Sequence, residues 1–111
     1  MPDVFQVLAD PTRRRIVDAL RAGERSVNEL VAVVDIGQPG VSRQLAILQD
    51  ADFVTVRSEG RRRLYALRPE PFRELSEFVT GYRAIWEGRL DRFGAALERR
   101  RKNKNNKEKN K

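Results

Sequence analysis

Cysteine and histidine are both absent from the 111 residues. Without cysteine there is no disulfide framework, no thiolate metal site and no thiol nucleophile. Without histidine the side chain that most often transfers protons and binds transition metals is missing too. Catalysis would have to rest on carboxylates, Tyr65, Tyr82 or serines, and no pair of these has a spacing that suggests cooperation. The chain is not expected to be an enzyme, to carry a cofactor or to hold a metal. Long apolar runs are lacking as well. Nothing approaches the roughly 18 residues of a membrane span, and the N-terminus has no signal-peptide pattern. Together with the missing cysteine, this points to a soluble cytoplasmic protein with no membrane partner. The length suits one compact domain.

Lysine is missing from residues 1–98, which hold 15 Arg against 15 Asp or Glu and are therefore neutral. Residues 99–111 (RRRKNKNNKEKNK) carry 8 Lys or Arg and one Glu, so the whole formal charge of +7 sits there. The division expected is a folded domain over 1–101 and a basic tail over 102–111 with neither the composition nor the periodicity of the body. A net positive charge suggests nucleic acid as partner, but here it describes the tail and not the fold.

The body reads as helices first. Asp3 can cap a helix with Val4, Phe5, Val7 and Leu8 on its apolar side. Asp10-Pro11 restarts the chain, since Asp is a preferred N-cap and Pro suits the first helical position. Ile16, Val17 and Leu20 follow at helical spacing, and Gly23 is placed to end that helix. Ser26-Val27-Asn28-Glu29 has the form of a capping box, opening a helix with Val27, Leu30, Val31 and Val34. After a turn over 36–40, the spacing predicts a helix over 38–51 with Val41, Leu45 and Leu48 buried, stopping near Ala51-Asp52. Residues 53–56 and 64–67 are strand-like, with a hairpin turn over 58–61. Residues 72–101 read as one long helix, weakened at Gly81, Gly88 and Gly94. The order is α-α-α-α-β-β-α: mainly α with a small β-hairpin.

Short helices, a tight turn, a further helix and a hairpin make a winged helix-turn-helix. With Val41, Leu45 and Leu48 inward, Gln38, Pro39, Ser42 and Arg43 lie together on the opposite face of the recognition helix, where base edges are met. Arg43 can donate two hydrogen bonds to a guanine and Gln38 can pair with an adenine edge. Gly40 would let the groove wall approach closely. An ordinary solvated helix face would carry the same residue types. The hairpin argues for DNA: Arg57, Arg61, Arg62 and Arg63 gather around its turn, as in a wing that grips phosphates. Arg61 and Arg62 are nearest the tip, and Arg63 could instead lay its stem along the sheet. The run Arg13-Arg14-Arg15 lies close to Asp10 and Asp18 and is a weaker candidate. A winged-helix module that binds protein instead of DNA is the competing class. It accounts for the neutral body but not for the arginine-rich wing.

Four separated stretches carry a resemblance. These are Leu8-Ala9-Asp10-Pro11-Thr12-Arg13, residues 23–30 (GERSVNEL), residues 38–45 (QPGVSRQL) and Glu59-Gly60-Arg61-Arg62. In this order they resemble the ArsR/SmtB family of bacterial repressors over roughly residues 3–97. The resemblance implies a homodimer that binds a palindromic operator in double-stranded DNA and represses transcription, dimerising through its first and last helices. It puts DNA contacts on Gln38, Pro39, Ser42 and Arg43. Metal sensors of the family carry two Cys in the third helix, where Val31 and Val33 stand here; others use His on the last helix. The acids of that helix, Glu74, Glu77, Glu87 and Asp91, alternate with Arg73, Arg83, Arg89 and Arg92, as on a solvated, ion-paired face. Gly37 stands where the family has a Ser or Thr cap, and Asp52 where it has Gly. The stretch from Tyr82 to Arg92 is similar to the cysteine-free branch that includes the sporulation-delay autorepressor.

A dimer is also expected from the residues. The stripe Leu75, Val79, Tyr82, Trp86, Phe93 and Leu97 needs a partner surface, part of which Val4, Phe5 and Leu8 could supply in an isologous pair. A small-molecule inducer between subunits, with Trp86 as a wall, is the alternative use of these aromatics. Operator, inducer and regulated genes are not written in the residues.

Overall fold

The computed structural model describes residues 3–88 and Arg100. Phe93, Leu97 and the tail 102–111 lie outside the described residues. The elements run α1 (Val4–Ala9), α2 (Pro11–Leu20), β1 (Arg25–Ser26), α3 (Val27–Val33), α4 (Gln38–Asp50), β2 (Val54–Glu59), β3 (Arg62–Leu67), α5 (Glu70–Gly81) and α6 (Arg83–Trp86). The chain divides into two compact units, Met1–Glu74 and Leu75–Lys111.

The helix starts follow the expected caps. Asp3 and Gln6 form a reciprocal capping box on α1, and Ser26 and Glu29 form another on α3. Asp10 accepts from the backbone N–H groups of Thr12 at 2.8 Å and Arg13 at 3.1 Å, opening α2 ahead of Pro11. The Arg13 amide, and then that of Thr12, hold the Asp10 carboxyl below its ordinary range.

α4 lacks a side-chain cap at Gly37, yet its far end is firmly closed. Phe53 N–H donates to Leu48 O at 2.9 Å and Asp52 N–H to Gln49 O at 3.1 Å, the two bonds of a Schellman motif. Asp52 adopts φ 57, the left-handed conformation usually left to glycine and tolerated by Asp. Phe53 and Leu48, which the motif brings together, are both fully buried.

The strands form one antiparallel sheet in the order β1-β3-β2. β1, pairing Arg25 with Tyr65 and Ser26 with Leu64, has too few residues to show any alternation and was not expected from the sequence. In the hairpin Glu59 faces Arg62, leaving a two-residue turn at Gly60-Arg61. Gly60 has φ 62 and Arg61 stays out of the positive region, the pattern of a type II′ turn. In the Met1–Glu74 unit the core gathers Val7, Ile16, Leu30, Val34, Val41, Leu45, Leu48 and Phe53. Phe72 meets Phe53 edge-on at 5.8 Å.

The expected single helix over 72–101 is corrected. α5 begins earlier, at Glu70, because Pro69 O accepts from the amides of Phe72 and Arg73, both at 3.1 Å. It ends at Gly81, and Tyr82 takes a non-helical φ of −107 and ψ of 9. The short α6 then stops at Trp86, followed by Gly88 at φ 72. Two of the three glycines that weaken the stretch are the points where it breaks.

Phe53→Ala removes the most voluminous fully buried side chain of the described residues and the apolar contact that closes α4. The expected cost is about 3–5 kcal/mol, read as a lowered midpoint in urea unfolding at unchanged slope.

Candidate nucleic-acid interface

α4 presents two faces. Val41, Leu45 and Leu48 are buried, and Gln38, Pro39, Ser42 and Arg43 are exposed. The sequence placed these four together, and the structure does so. Gly40 differs. It is half-buried, and a Cβ there would meet Ile36 Cδ1 at 3.2 Å, so glycine at this position makes room for the Ile36 side chain.

The arginines fall into two sets, separated by what they touch. Arg13 donates from Nε to Val7 O at 2.9 Å and from Nη2 to Gln6 O at 3.3 Å, and reaches Gln44 Oε1 on α4 at 3.3 Å. Arg14 donates to Leu8 O at 2.8 Å. Both satisfy carbonyls at the end of α1, which has no intrahelical donors for them. Arg25 does the same for Ala19 O of α2 at 3.0 Å. This capping work of the arginine run was missed in the sequence, because its acceptors are backbone atoms.

Two of the four expected wing arginines are occupied by carboxylates. Arg57 takes Glu24 in a two-point contact, Nε to Oε2 at 2.7 Å and Nη2 to Oε1 at 2.9 Å, and also reaches Glu59 Oε2 at 3.0 Å. The Arg57 hydrogen bond holds the Glu24 carboxyl below its ordinary range, and the same bond raises the guanidinium still further above neutrality. Arg62 Nη2 donates to Glu29 Oε1 at 2.8 Å. Strand alternation explains the grouping, for Arg57, Glu59 and Arg62 share one sheet face, with Ser58 and Arg63 on the other. Among the described residues the side chains of Arg43, Arg61 and Arg63 form no hydrogen bond or ion pair. Arg15 on α2 and Arg73 on α5 share that condition. A cleft of about 500 Å³ joins the pieces, lined by Asn28 of α3, Gln38 of α4 and Arg61, Arg62 and Arg63 of the wing.

None of the residues lining that cleft lines the open apolar hollow of about 810 Å³ bounded by Leu8, Val17, Leu20, Leu67 and Phe72, with Arg14, Arg21 and Glu24 among its charged neighbours. It has the volume and apolar lining of a small-molecule pocket. Among the described residues no group of three or more carboxylates gathers as a metal site would require.

Exposed polar side chains at the start of a recognition helix, beside an arginine-bearing hairpin, define a winged helix-turn-helix DNA-binding module. A family model described as a helix-turn-helix domain matches residues 8–57. The HTH-type transcriptional regulator Rv2034 of Mycobacterium tuberculosis is 44% identical over 69 residues, which cover 61% of this chain and 64% of that protein. The transcriptional repressor SdpR of Bacillus subtilis is 33% identical over 67 residues, covering 60% of this chain and 74% of that protein. A crystal structure of an ArsR family transcriptional regulator superposes with a TM-score of 0.64 at 32% identity, covering 78% of this chain and 90% of that one. The solution structure of a homodimeric winged helix-turn-helix DNA-binding domain from Mycobacterium bovis, a possible ArsR-family regulator, gives 0.60 at 28% identity, covering 71% and 76%. The chain belongs to the ArsR/SmtB family of transcriptional regulators. It spans just under two thirds of the Mycobacterium tuberculosis relative, 64% of its length.

Arg61→Ala is expected to lower the slope of log affinity against log salt by about 0.9 on any duplex, the signature of one lost phosphate contact. Arg57→Ala, whose charge is spent on Glu24 and Glu59, should leave that slope unchanged in the same titration.

Proposed function

We propose that this chain is a homodimeric repressor that acts in the cytoplasm on a palindromic operator. The observation that carries the reading is the exposed first turn and a half of α4, with Gln38, Pro39, Ser42 and an Arg43 that has no partner among the described residues. Arg43 is the base reader, matched to the O6 and N7 acceptors of a guanine, and Gln38 suits an adenine edge. Ser42 serves a base or a phosphate. Arg61 and Arg63 grip the backbone from the wing. Residues 1–101 act as the DNA-binding and dimerising body, and the basic tail 102–111 adds salt-sensitive, sequence-independent affinity.

The dimer is supported by what the Leu75–Lys111 unit leaves in water. Phe78, Val79, Tyr82, Ile85 and Trp86 are between 42% and 56% exposed. A run of large apolar side chains at this exposure marks an association surface. Val79, Tyr82 and Trp86 were expected there, and Leu75 is half-buried; Phe78 and Ile85 join them. Phe93 lies outside the described residues. On α1, Phe5 is exposed and Leu8 half-buried, but Val4 is 5% exposed and is spent on its own core. Val4 therefore has little surface to offer a partner. The homodimeric relative from Mycobacterium bovis supports the same assembly. An isologous pair sets two recognition helices about one DNA turn apart, ~34 Å, as a palindrome demands.

Arg43→Ala should cost ~1–3 kcal/mol on the operator and relax preference at one position of each half-site, measured by competition with single-substitution duplexes. Equal loss on specific and random DNA would contradict base reading. Sedimentation at micromolar concentration should give a dimer mass for the parent chain and a shift toward monomer for Trp86→Ala. A parent chain that sediments as a monomer would contradict the dimer.

A further inference from the structure

Glu29 holds two parts of the interface through one oxygen. Its Oε1 accepts from the Ser26 backbone N–H at 3.0 Å, closing the capping box of α3, and from Arg62 Nη2 at 2.8 Å, reaching the wing. The cap faces inward to a helix of the DNA-binding motif, whereas the arginine comes from the hairpin strand β3. Both partners of the pair remain half in solvent, with side-chain exposures of 56% for Arg62 and 43% for Glu29. Such a pair adds little to stability, so its consequence must be sought in where it leaves the charge. Arg62 lines the same cleft as Arg61, Arg63 and Gln38, between the wing and α4. A guanidinium there would grip a phosphate, and Glu29 is the one carboxylate that the hydrogen bonds place upon it.

We propose that Glu29 is a positioning residue that withholds Arg62 from the DNA backbone and fixes the wing against α3, limiting the sequence-independent share of affinity. The inference rests on the DNA-binding reading above and deepens it. Of the four wing arginines, Arg57 is already neutralised by Glu24 and Glu59. With Arg62 held by Glu29, only Arg61 and Arg63 meet phosphates. A phosphate contact strengthens binding to specific and random DNA alike, so withholding Arg62 lowers both affinities and leaves the ratio between them to the base contacts. The capping role is separable from the charge: Gln at this position of a capping box makes the same bond to the N-cap amide.

The test uses the full chain and a random-sequence duplex titrated between 50 and 200 mM salt. Glu29→Gln keeps the cap and removes the charge that holds Arg62, so the salt slope should steepen by about 0.9. The loss of affinity over that fourfold range then grows by a further factor of about 3.5. The double variant Glu29→Gln, Arg62→Ala should return to the parent slope, and Arg62→Ala alone should match the parent. A thermal melt checks that each variant folds. An unchanged slope in Glu29→Gln, or a parent-chain slope that drops by about 0.9 in Arg62→Ala alone, overturns the proposal while leaving the regulator reading intact. A parent chain with no preference for its own upstream DNA overturns both.

Discussion

Burial of Val41, Leu45 and Leu48 is the constraint on which the rest of the interface depends. Each is at most 1% exposed, and full burial of such a side chain is worth roughly 1.5–3 kcal/mol. Together they fix the rotation of α4 about its axis. Turning the helix by one residue, about 100°, would expose this stripe and press Ser42 into the core without a partner, and a polar group buried in that way is costly. The exposed set Gln38, Pro39, Ser42 and Arg43 is thus the complement of the buried one. The Schellman turn at Asp52 and Phe53 then locks the helix end into the same core and launches β2, so recognition helix and wing share one foundation. Gly37 contributes no side-chain cap, and Pro39 suits the first turn of α4 because its ring fixes a helical φ and leaves no N–H unpaired there.

Charge is arranged by the same economy. The body is neutral, yet its arginines are not equivalent. Arg13, Arg14 and Arg25 close helix ends through backbone carbonyls, and Arg57 and Arg62 face carboxylates across the sheet. Paired in this way they add rigidity where the wing meets the helices, and they subtract from the charge offered to DNA. The arginines left without such a pairing among the described residues include Arg15 and Arg73 and, on the face proposed to meet DNA, Arg43 of α4 with Arg61 and Arg63 of the wing. A protein-binding module would have use for the neutral body but not for these three without internal partners, beside a cleft between wing and α4. The formal +7 lies in residues 99–111, outside the neutral stretch 1–98.

Much of this was legible in the residues because the signals are local. Asp3, Asp10 and Ser26 announce helix starts through bonds to amides two or three residues away, and a period of three to four residues marks the buried face of α4. That helix was expected to stop near Ala51-Asp52, and it ends at Asp50 with Ala51 as its C-cap. What escaped was set by partners distant in sequence. β1 exists only because Arg25 and Ser26 lie along β3, and Ser26 was legible solely as a cap. The pairings of Arg57 with Glu24 and Arg62 with Glu29 each join residues 33 positions apart, so four wing arginines looked alike in the sequence and are not. The single long C-terminal helix was read from apolar spacing, which continues smoothly across Gly81 and Gly88 although the backbone does not.

The central claim is that sequence reading resides in a neutral body through a few unpaired arginines, while the basic tail supplies only bulk attraction. A mobility-shift titration of the full chain tests it most directly. It compares the protein's own upstream DNA with a scrambled duplex of equal length, at low and at near-physiological salt. Both affinities should fall as salt rises, with the preference for the upstream DNA retained. A preference that disappears as the salt rises would place the affinity in the tail and contradict the account.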